Sequence, residues 1–184
     1  MKIESVGILG AGRFGTMVCR HLRGRVNLHV FDKNTEKLEG IAEASSLDKV
    51  LGSQLIILAV PISAVRATCT EIAGQLQAGQ IVVDTCSVKA RPVGWMLELL
   101  PEAVDVLGTH PLFGPDSGKE GIAGLKIALC PVRIAPEKYA AICSFLRSLE
   151  LVLVEATPEE HDRQIALSQA VFHLIAQAMR RLDW

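Results

Sequence analysis

Seven short apolar runs, separated by segments long enough to be helices, narrow the folds open to this chain more than any other feature. Val6-Gly7-Ile8-Leu9, Leu28–Phe31, Leu55–Val60, Ile81–Asp84, Val104–Leu107, Ile127–Cys130 and Leu151–Val154 read as strands, and several are apolar at every position. A strand apolar on both faces must be covered on both, which is the condition of a parallel sheet between two helical layers. The segments 13–23, 34–44, 62–77, 88–99 and 136–148 predict the crossover helices. The expected fold is therefore α/β, a doubly wound, mostly parallel sheet. With 184 residues, 49% of them apolar, the chain has enough material for one such domain and the start of another. Residues 108–124, rich in glycine and carrying Pro111 and Pro115, read as one long irregular stretch, and a loop of that length in a compact domain is usually functional.

Charge and cysteine usage exclude several classes of function. Lys and Arg number 19 against 20 Asp and Glu, for a net charge of -1, with no basic block. Phosphate backbones and anionic lipid surfaces need clustered cations, so neither nucleic acid nor membrane is an expected partner. The longest apolar stretch, Leu55–Val65, is about half the ~20 residues of a membrane span and contains Pro61. Glu4 and the glycines that follow stand where a secretory signal would need an unbroken apolar run, so the expected location is the cytoplasm. Cys19, Cys69, Cys86, Cys130 and Cys143 are an odd number at wide spacing, which suits buried thiols rather than a metal site or a disulfide framework, and no metal is expected.

Directly after the first predicted strand comes Gly10-Ala11-Gly12-Arg13-Phe14-Gly15, a G-x-G-x-x-G pattern opening a helix. In this pattern Gly10 allows the tight turn, Gly12 lets a pyrophosphate approach the backbone, and Gly15 lets the helix sit close to the sheet. The anion rests on the free amides of the helix N-terminus. Asp32 ends the second predicted strand about 20 residues further on, where a carboxylate accepts hydrogen bonds from an adenosine ribose and repels a 2′-phosphate. Together these features predict a Rossmann-type dinucleotide-binding domain over residues 1–156 that prefers NAD to NADP, with Lys33 beside Asp32 softening the preference. Val60 and Pro61 end the third strand beside the expected cofactor crevice.

Substrate belongs at the carboxyl ends of the fourth and fifth strands of such a sheet, and both ends carry reactive side chains. Asp84-Thr-Cys-Ser87-Val-Lys89 offers a hydroxyl and a cation, and Gly108-Thr109-His110-Pro111 offers a side chain that accepts a proton near neutral pH. From residue type alone, His110 reads either as a base or as a loop histidine capping a strand, and Ser87 either as a site hydroxyl or as a turn residue. Thr157-Pro158-Glu159-Glu160 is a capping box that opens a strong helix. That helix is apolar nearly all round, which predicts self-association through residues 157–184 or a helical region beyond them. On it Ile165, Gln169 and His173 share one face, so Gln169 and His173 are either a bonded core pair or ligand contacts. His161, in the first turn, reads as a surface or hinge residue.

The glycine opening, D-x-x-S-V-K at 84–89, G-T-H-P-x-F-G-P at 108–115, T-P-E-E-H-D at 157–162 and Gln169-Ala-Val-Phe-His173 together resemble the prephenate and arogenate dehydrogenases of tyrosine biosynthesis. The resemblance implies that His110 is the base for the ring hydroxyl, that Ser87 orients that hydroxyl and His110, and that His173 faces the substrate. It implies an NAD-dependent oxidative decarboxylation of prephenate to 4-hydroxyphenylpyruvate, with arogenate as the alternative substrate. Members of that family continue into an all-helical domain that supplies dimer contacts and an arginine for the substrate carboxylates. On that pattern residues 157–184 are the first helix of a truncated helical region and the chain is a homodimer. Lys89, Arg91, Lys119 and Arg180 are then the cations available to a small dianionic substrate. A non-catalytic NAD-binding relative is the second reading. No lysine lies between Ile165 and Arg180, which separates the chain from the β-hydroxyacid dehydrogenases that use a lysine on this helix.

Overall fold

The computed structural model describes residues 2–180, and at positions 169, 170 and 173 it describes the backbone only. Seven strands form one sheet: β1 (Ser5–Leu9), β2 (Asn27–Phe31), β3 (Leu55–Leu58), β4 (Ile81–Asp84), β5 (Asp105–Pro111), β6 (Lys126–Arg133) and β7 (Val152–Glu155). Their order is β2-β1-β3-β4-β5-β6-β7. Every pairing is parallel except that of β5 with β6. Among the described residues six α-helices cover or flank the sheet: α1 (Arg13–Leu22), α2 (Leu47–Leu51), α3 (Ile62–Ile72), α4 (Ala90–Leu99), α5 (Pro136–Ser148) and α6 (Pro158–Arg180). Among the described residues no helix is long and apolar enough to cross a membrane.

The doubly apolar strands divide their side chains between two cores with the period of two that a strand imposes. Leu55 and Ile57 of β3, with Ile81 and Val83 of β4, face a core completed by Cys19 and Leu22 of α1 and Ile142 and Cys143 of α5. Ile56, Leu58 and Val82 face the opposite core, with Val50 and Leu51 of α2, Val65, Cys69 and Ile72 of α3 and Met96 of α4. The two cores account for the unbroken apolar runs in the sequence. All five cysteines are buried and unpaired.

Two stretches depart from the expectation. The segment 34–44 is not a crossover helix: a single 3-10 turn spans Thr35–Leu38, Gly40 has φ of 75°, and the chain then runs beside β2. Val30 N bonds Glu43 O at 2.9 Å and Ser45 N bonds Val30 O at 2.8 Å. Positive φ at Gly40 ends any helix there, and the short α2 takes the place of the crossover. The second departure lies at 108–111, which continues β5 rather than opening the loop. Thr109, His110 and Pro111 pair with Leu129, Ala128 and Ile127 of the antiparallel β6. In Gly-Thr-His-Pro only Thr109 favours a strand while Gly108 and Pro111 oppose one, so the pairing rests on the tertiary partner.

Helix α1 packs so close to the carboxyl end of β1 that position 15 has no room for a side chain. A Cβ at Gly15 would lie 1.9 Å from the Gly10 carbonyl oxygen, whereas one at Gly12 meets nothing within 4 Å. Gly15→Ala should therefore cost about 1–3 kcal/mol of stability in urea unfolding, and Gly12→Ala should leave the unfolding midpoint close to that of the parent chain.

Candidate active site

A crevice of about 490 Å³ runs along the carboxyl ends of β1, β3, β4 and β5. Gly10, Gly12, Arg13, Phe14 and Asp32 line one side of it, Val60 and Pro61 the middle, and Ser87 and His110 the other. The sequence-predicted Gly10, Gly12, Arg13, Phe14, Asp32, Val60, Pro61, Ser87 and His110 thus meet at one place. Ala11, Gly15 and Lys89 do not line it: Ala11 and Lys89 are buried, and Gly15 sits against the Gly10 carbonyl. Gln169 and His173 lie outside the described side chains.

The glycine loop has the shape its composition predicts. Gly10 has φ of 108° and its amide bonds Phe31 O at 2.8 Å, which turns the chain sharply out of β1. Gly12 is the N-cap of α1, with no side-chain cap and no acidic residue in the first turn. Of the three loop glycines, Gly12 alone would leave an added Cβ unopposed, and Gly12, Arg13 and Phe14 line the crevice at the start of this helix, a cradle that fits a pyrophosphate. Asp32 is tied into the loop itself. Its Oδ2 accepts from Ala11 N at 2.8 Å and its Oδ1 from Asn34 N at 2.9 Å, so β2 holds the turn and each oxygen keeps a lone pair for a ribose hydroxyl. Lys33 is paired with Glu71 at 2.5 Å, while Lys37 Nζ stands 3.7 Å from Asp32 Oδ2.

Lys89 is the correction among the site residues. It is wholly buried, its ammonium bonded to Asp84 Oδ2 and, at 2.5 Å, to Thr109 O. A buried ammonium with both partners inside the domain is not placed to receive a substrate carboxylate. Its work is structural. Asp84, equally buried, also accepts from Thr109 N at 3.1 Å and Cys86 N at 3.0 Å, and its carbonyl takes the Thr109 hydroxyl. The ends of β4 and β5 are clamped together next to His110.

His110 is only 7% exposed. Burial, with the nearby His161 and Lys89 adding to it and Asp162 opposing, pushes its pKa down to about 4. The ring is therefore neutral near pH 7, as a proton acceptor must be. Nδ1 lies 2.9 Å from His161 Nε2, and Nε2 has no hydrogen-bond partner among the described residues. Ser87 lines the same crevice, exposed, but makes no hydrogen bond to His110 among the described residues.

His161, expected as a surface or hinge residue, is not on the surface. It is 4% exposed, and its Nδ1 lies 2.9 Å from Asp162 Oδ1. Asp162 in turn accepts from Lys89 N at 2.6 Å and Ala90 N at 2.9 Å, capping α4 from another helix. Burial raises the Asp162 pKa, but the hydrogen bonds from Ala90 N, His161 and Lys89 N outweigh it and hold the carboxyl below its ordinary value. The expected capping box forms: Thr157 Oγ1 accepts from Glu160 N at 3.2 Å and Glu160 Oε2 from Thr157 N at 3.0 Å. That cap starts α6 at the point that brings His161 and Asp162 onto β5 and α4. The signal for them was present in the His-Asp pair one residue after the box.

The fold and the open glycine loop define a nucleotide-binding domain of the doubly wound α/β class. Residues 23–155 match the family model described as prephenate dehydrogenase, nucleotide-binding domain, and the chain belongs to this family. It is 32% identical to arogenate dehydrogenase 1, chloroplastic, of Arabidopsis thaliana, over 97% of this chain and 30% of that protein. It is 29% identical to the T-protein of Haemophilus influenzae, over 94% of this chain and 42% of that protein. The chain thus spans less than half the length of either relative. Among solved structures, prephenate dehydrogenase from A. aeolicus in complex with hydroxyphenyl propionate and NAD+ shares the fold, with a TM-score of 0.79 at 20% identity over 100% of this chain and 72% of that one.

The Asp84–Lys89 pair makes a direct prediction. Asp84→Asn leaves the Lys89 ammonium buried without its counter-charge, and loss of one partner of such a pair costs about 3–5 kcal/mol. Urea unfolding should show a loss of that size.

Proposed function

We propose that this chain performs the NAD-dependent oxidative decarboxylation of prephenate to 4-hydroxyphenylpyruvate, with arogenate as the alternative ring substrate. The observation that carries the reading is His110, a neutral imidazole on the wall of the crevice that the glycine loop and Asp32 open onto. Family membership supports it. Gly12 and the first-turn amides of α1 would hold the pyrophosphate, and Asp32 the adenosine ribose. Glu71 engages Lys33, and the Asp32 carboxylate, which Lys37 offsets in part from 3.7 Å, supports NAD over NADP. A nicotinamide bound in the crevice supplies the hydride acceptor.

His110 Nε2 takes hold of the proton of the ring hydroxyl as hydride leaves the same carbon. The ring carboxylate departs as carbon dioxide, its bonding pair enters the ring, and the proton goes back to the oxygen of the new phenol. His110 ends as it began, and aromatisation drives the step. Ser87, on the same wall, is placed to hydrogen-bond that hydroxyl. Gln169 and His173 are assigned to the substrate from the α6 side, and the exposed apolar face of α6, where Leu167 is 70% and Phe172 73% exposed, supports a homodimer through residues 157–184.

Reduction of NAD followed at 340 nm, with prephenate and arogenate in parallel and NADP as control, tests the reading. Turnover of one substrate with NAD is expected. Binding of NAD by calorimetry without turnover of either would overturn it in favour of a non-catalytic nucleotide-binding relative. His110→Asn should lower kcat on the order of 10²–10⁴-fold with NAD affinity nearly unchanged. Gly12→Ala should remove NAD binding from a folded chain, and Asp32→Ala should weaken NAD about tenfold, about 1.4 kcal/mol, while narrowing its margin over NADP. Light scattering should give a dimer, and a monomer would contradict the role assigned to α6.

A further inference from the structure

We infer that His161 and Asp162 are positioning residues that form a proton relay behind His110, setting its tautomer and sharing its charge while it holds the substrate proton. The inference rests on the reading of His110 as proton acceptor, and it takes its warrant from the connected geometry. The three groups lie in a line from crevice to helix end: His110 Nδ1 to His161 Nε2 at 2.9 Å, then His161 Nδ1 to Asp162 Oδ1 at 2.9 Å. The two rings meet edge to face, with centroids 5.1 Å apart and an interplanar angle of 72°.

The direction of the chain follows from its last member. Asp162 is ionised and only accepts, and its oxygens are oriented by Lys89 N and Ala90 N at the start of α4. His161 must then carry its proton on Nδ1, which leaves a lone pair on Nε2. His110 must donate to that lone pair from Nδ1, and its own lone pair falls on Nε2, the nitrogen left without a partner among the described residues. A carboxylate two residues removed from the crevice therefore decides that His110 presents an acceptor there. The opposite tautomer would set two acceptors, or two protons, against each other between the rings.

The same line carries charge. When Nε2 takes the substrate proton, His110 can pass its Nδ1 proton to His161 Nε2, and the positive charge then sits beside Asp162. As the proton returns to the phenol oxygen the shift reverses, so no proton is gained or lost over the cycle. This matters because His110 is a poor home for a charge: burial, His161 and Lys89 all hold its pKa down, and Asp162 alone among these neighbours raises it. Lys89 from the β4–α4 connection and His161 and Asp162 from α6 are the charged or titratable groups acting on it. The relay gives a ring that stays neutral at rest a way to accept a proton for the duration of the step.

Side-chain 15N NMR of the full chain at pH 7 reads the tautomers without reference to turnover. The expected result is Nδ1–H with a bare Nε2 on both His110 and His161. His110 protonated on Nε2 would overturn the proposal, whatever the chain does with prephenate or arogenate. Asp162→Asn and His161→Gln complete the test. Gln keeps an acceptor for His110 Nδ1 but cannot take up a proton, so His161→Gln should lower kcat on the order of 10²-fold while His110 keeps its tautomer and NAD affinity stays at the parent value. Asp162→Asn removes the one neighbour that raises the His110 pKa, so the acidic limb of kcat/KM should move to lower pH as kcat falls. Parent turnover in both folded variants would overturn the relay, and a parent pH profile in Asp162→Asn with reduced stability would make Asp162 a helix cap only.

Discussion

The buried ion pair of Asp84 and Lys89 is the constraint on which the rest of the site depends. β4 and β5 are parallel neighbours whose ladder ends at Val83 and Leu107, and beyond that point the strand ends would be free to separate. Asp84 and Lys89 replace the missing ladder with side-chain bonds to both backbone groups of Thr109. Each partner satisfies the other's charge inside a low-dielectric interior, where either alone would be strongly unfavourable. The pair fixes Thr109, and with it the direction in which the next residue, His110, meets the crevice.

A second tie closes the site from the far side. The N-terminus of α4 begins at Ala90, directly after Lys89, and has no cap of its own. Asp162 supplies that cap from the first turn of α6, which sets the helix against the end of the sheet and delivers His161 to His110 in the same movement. Charge, helix capping and site geometry are thus satisfied by one short stretch, 157–162, whose own capping box determines where the helix starts. The cofactor side is built differently, from backbone: the turn at Gly10, the open amides of α1 and an aspartate that braces the loop while facing the crevice.

Much of this could be read from residues alone. The two-sided apolar runs specify a covered parallel sheet because burial on both faces leaves no other arrangement, and the three glycines with Asp32 specify the loop because each answers a local steric need. Position 15 and position 12 illustrate the contrast, one filled by backbone and the other open. What escaped was whatever depends on a distant partner. The strand character of His110 comes from β6, the burial of Lys89 from the Thr109 carbonyl of β5 that its ammonium meets beside Asp84, and the burial of His161 from the docking of α6. The segment 34–44 has the spacing of a helix, but Gly40 at positive φ interrupts it after one 3-10 turn. A lysine and a histidine look the same in sequence whether they face water or sit in a network, and polar networks are assembled by tertiary structure.

The most direct test of the account is a crystal structure of the full chain with NAD and 4-hydroxyphenylpyruvate. The phenol oxygen should lie within hydrogen-bond distance of His110 Nε2, with the nicotinamide against the same ring carbon and Nδ1 still on His161. A product ring bound elsewhere, with His110 Nε2 facing only solvent, would contradict the assignment of this crevice as the reaction site.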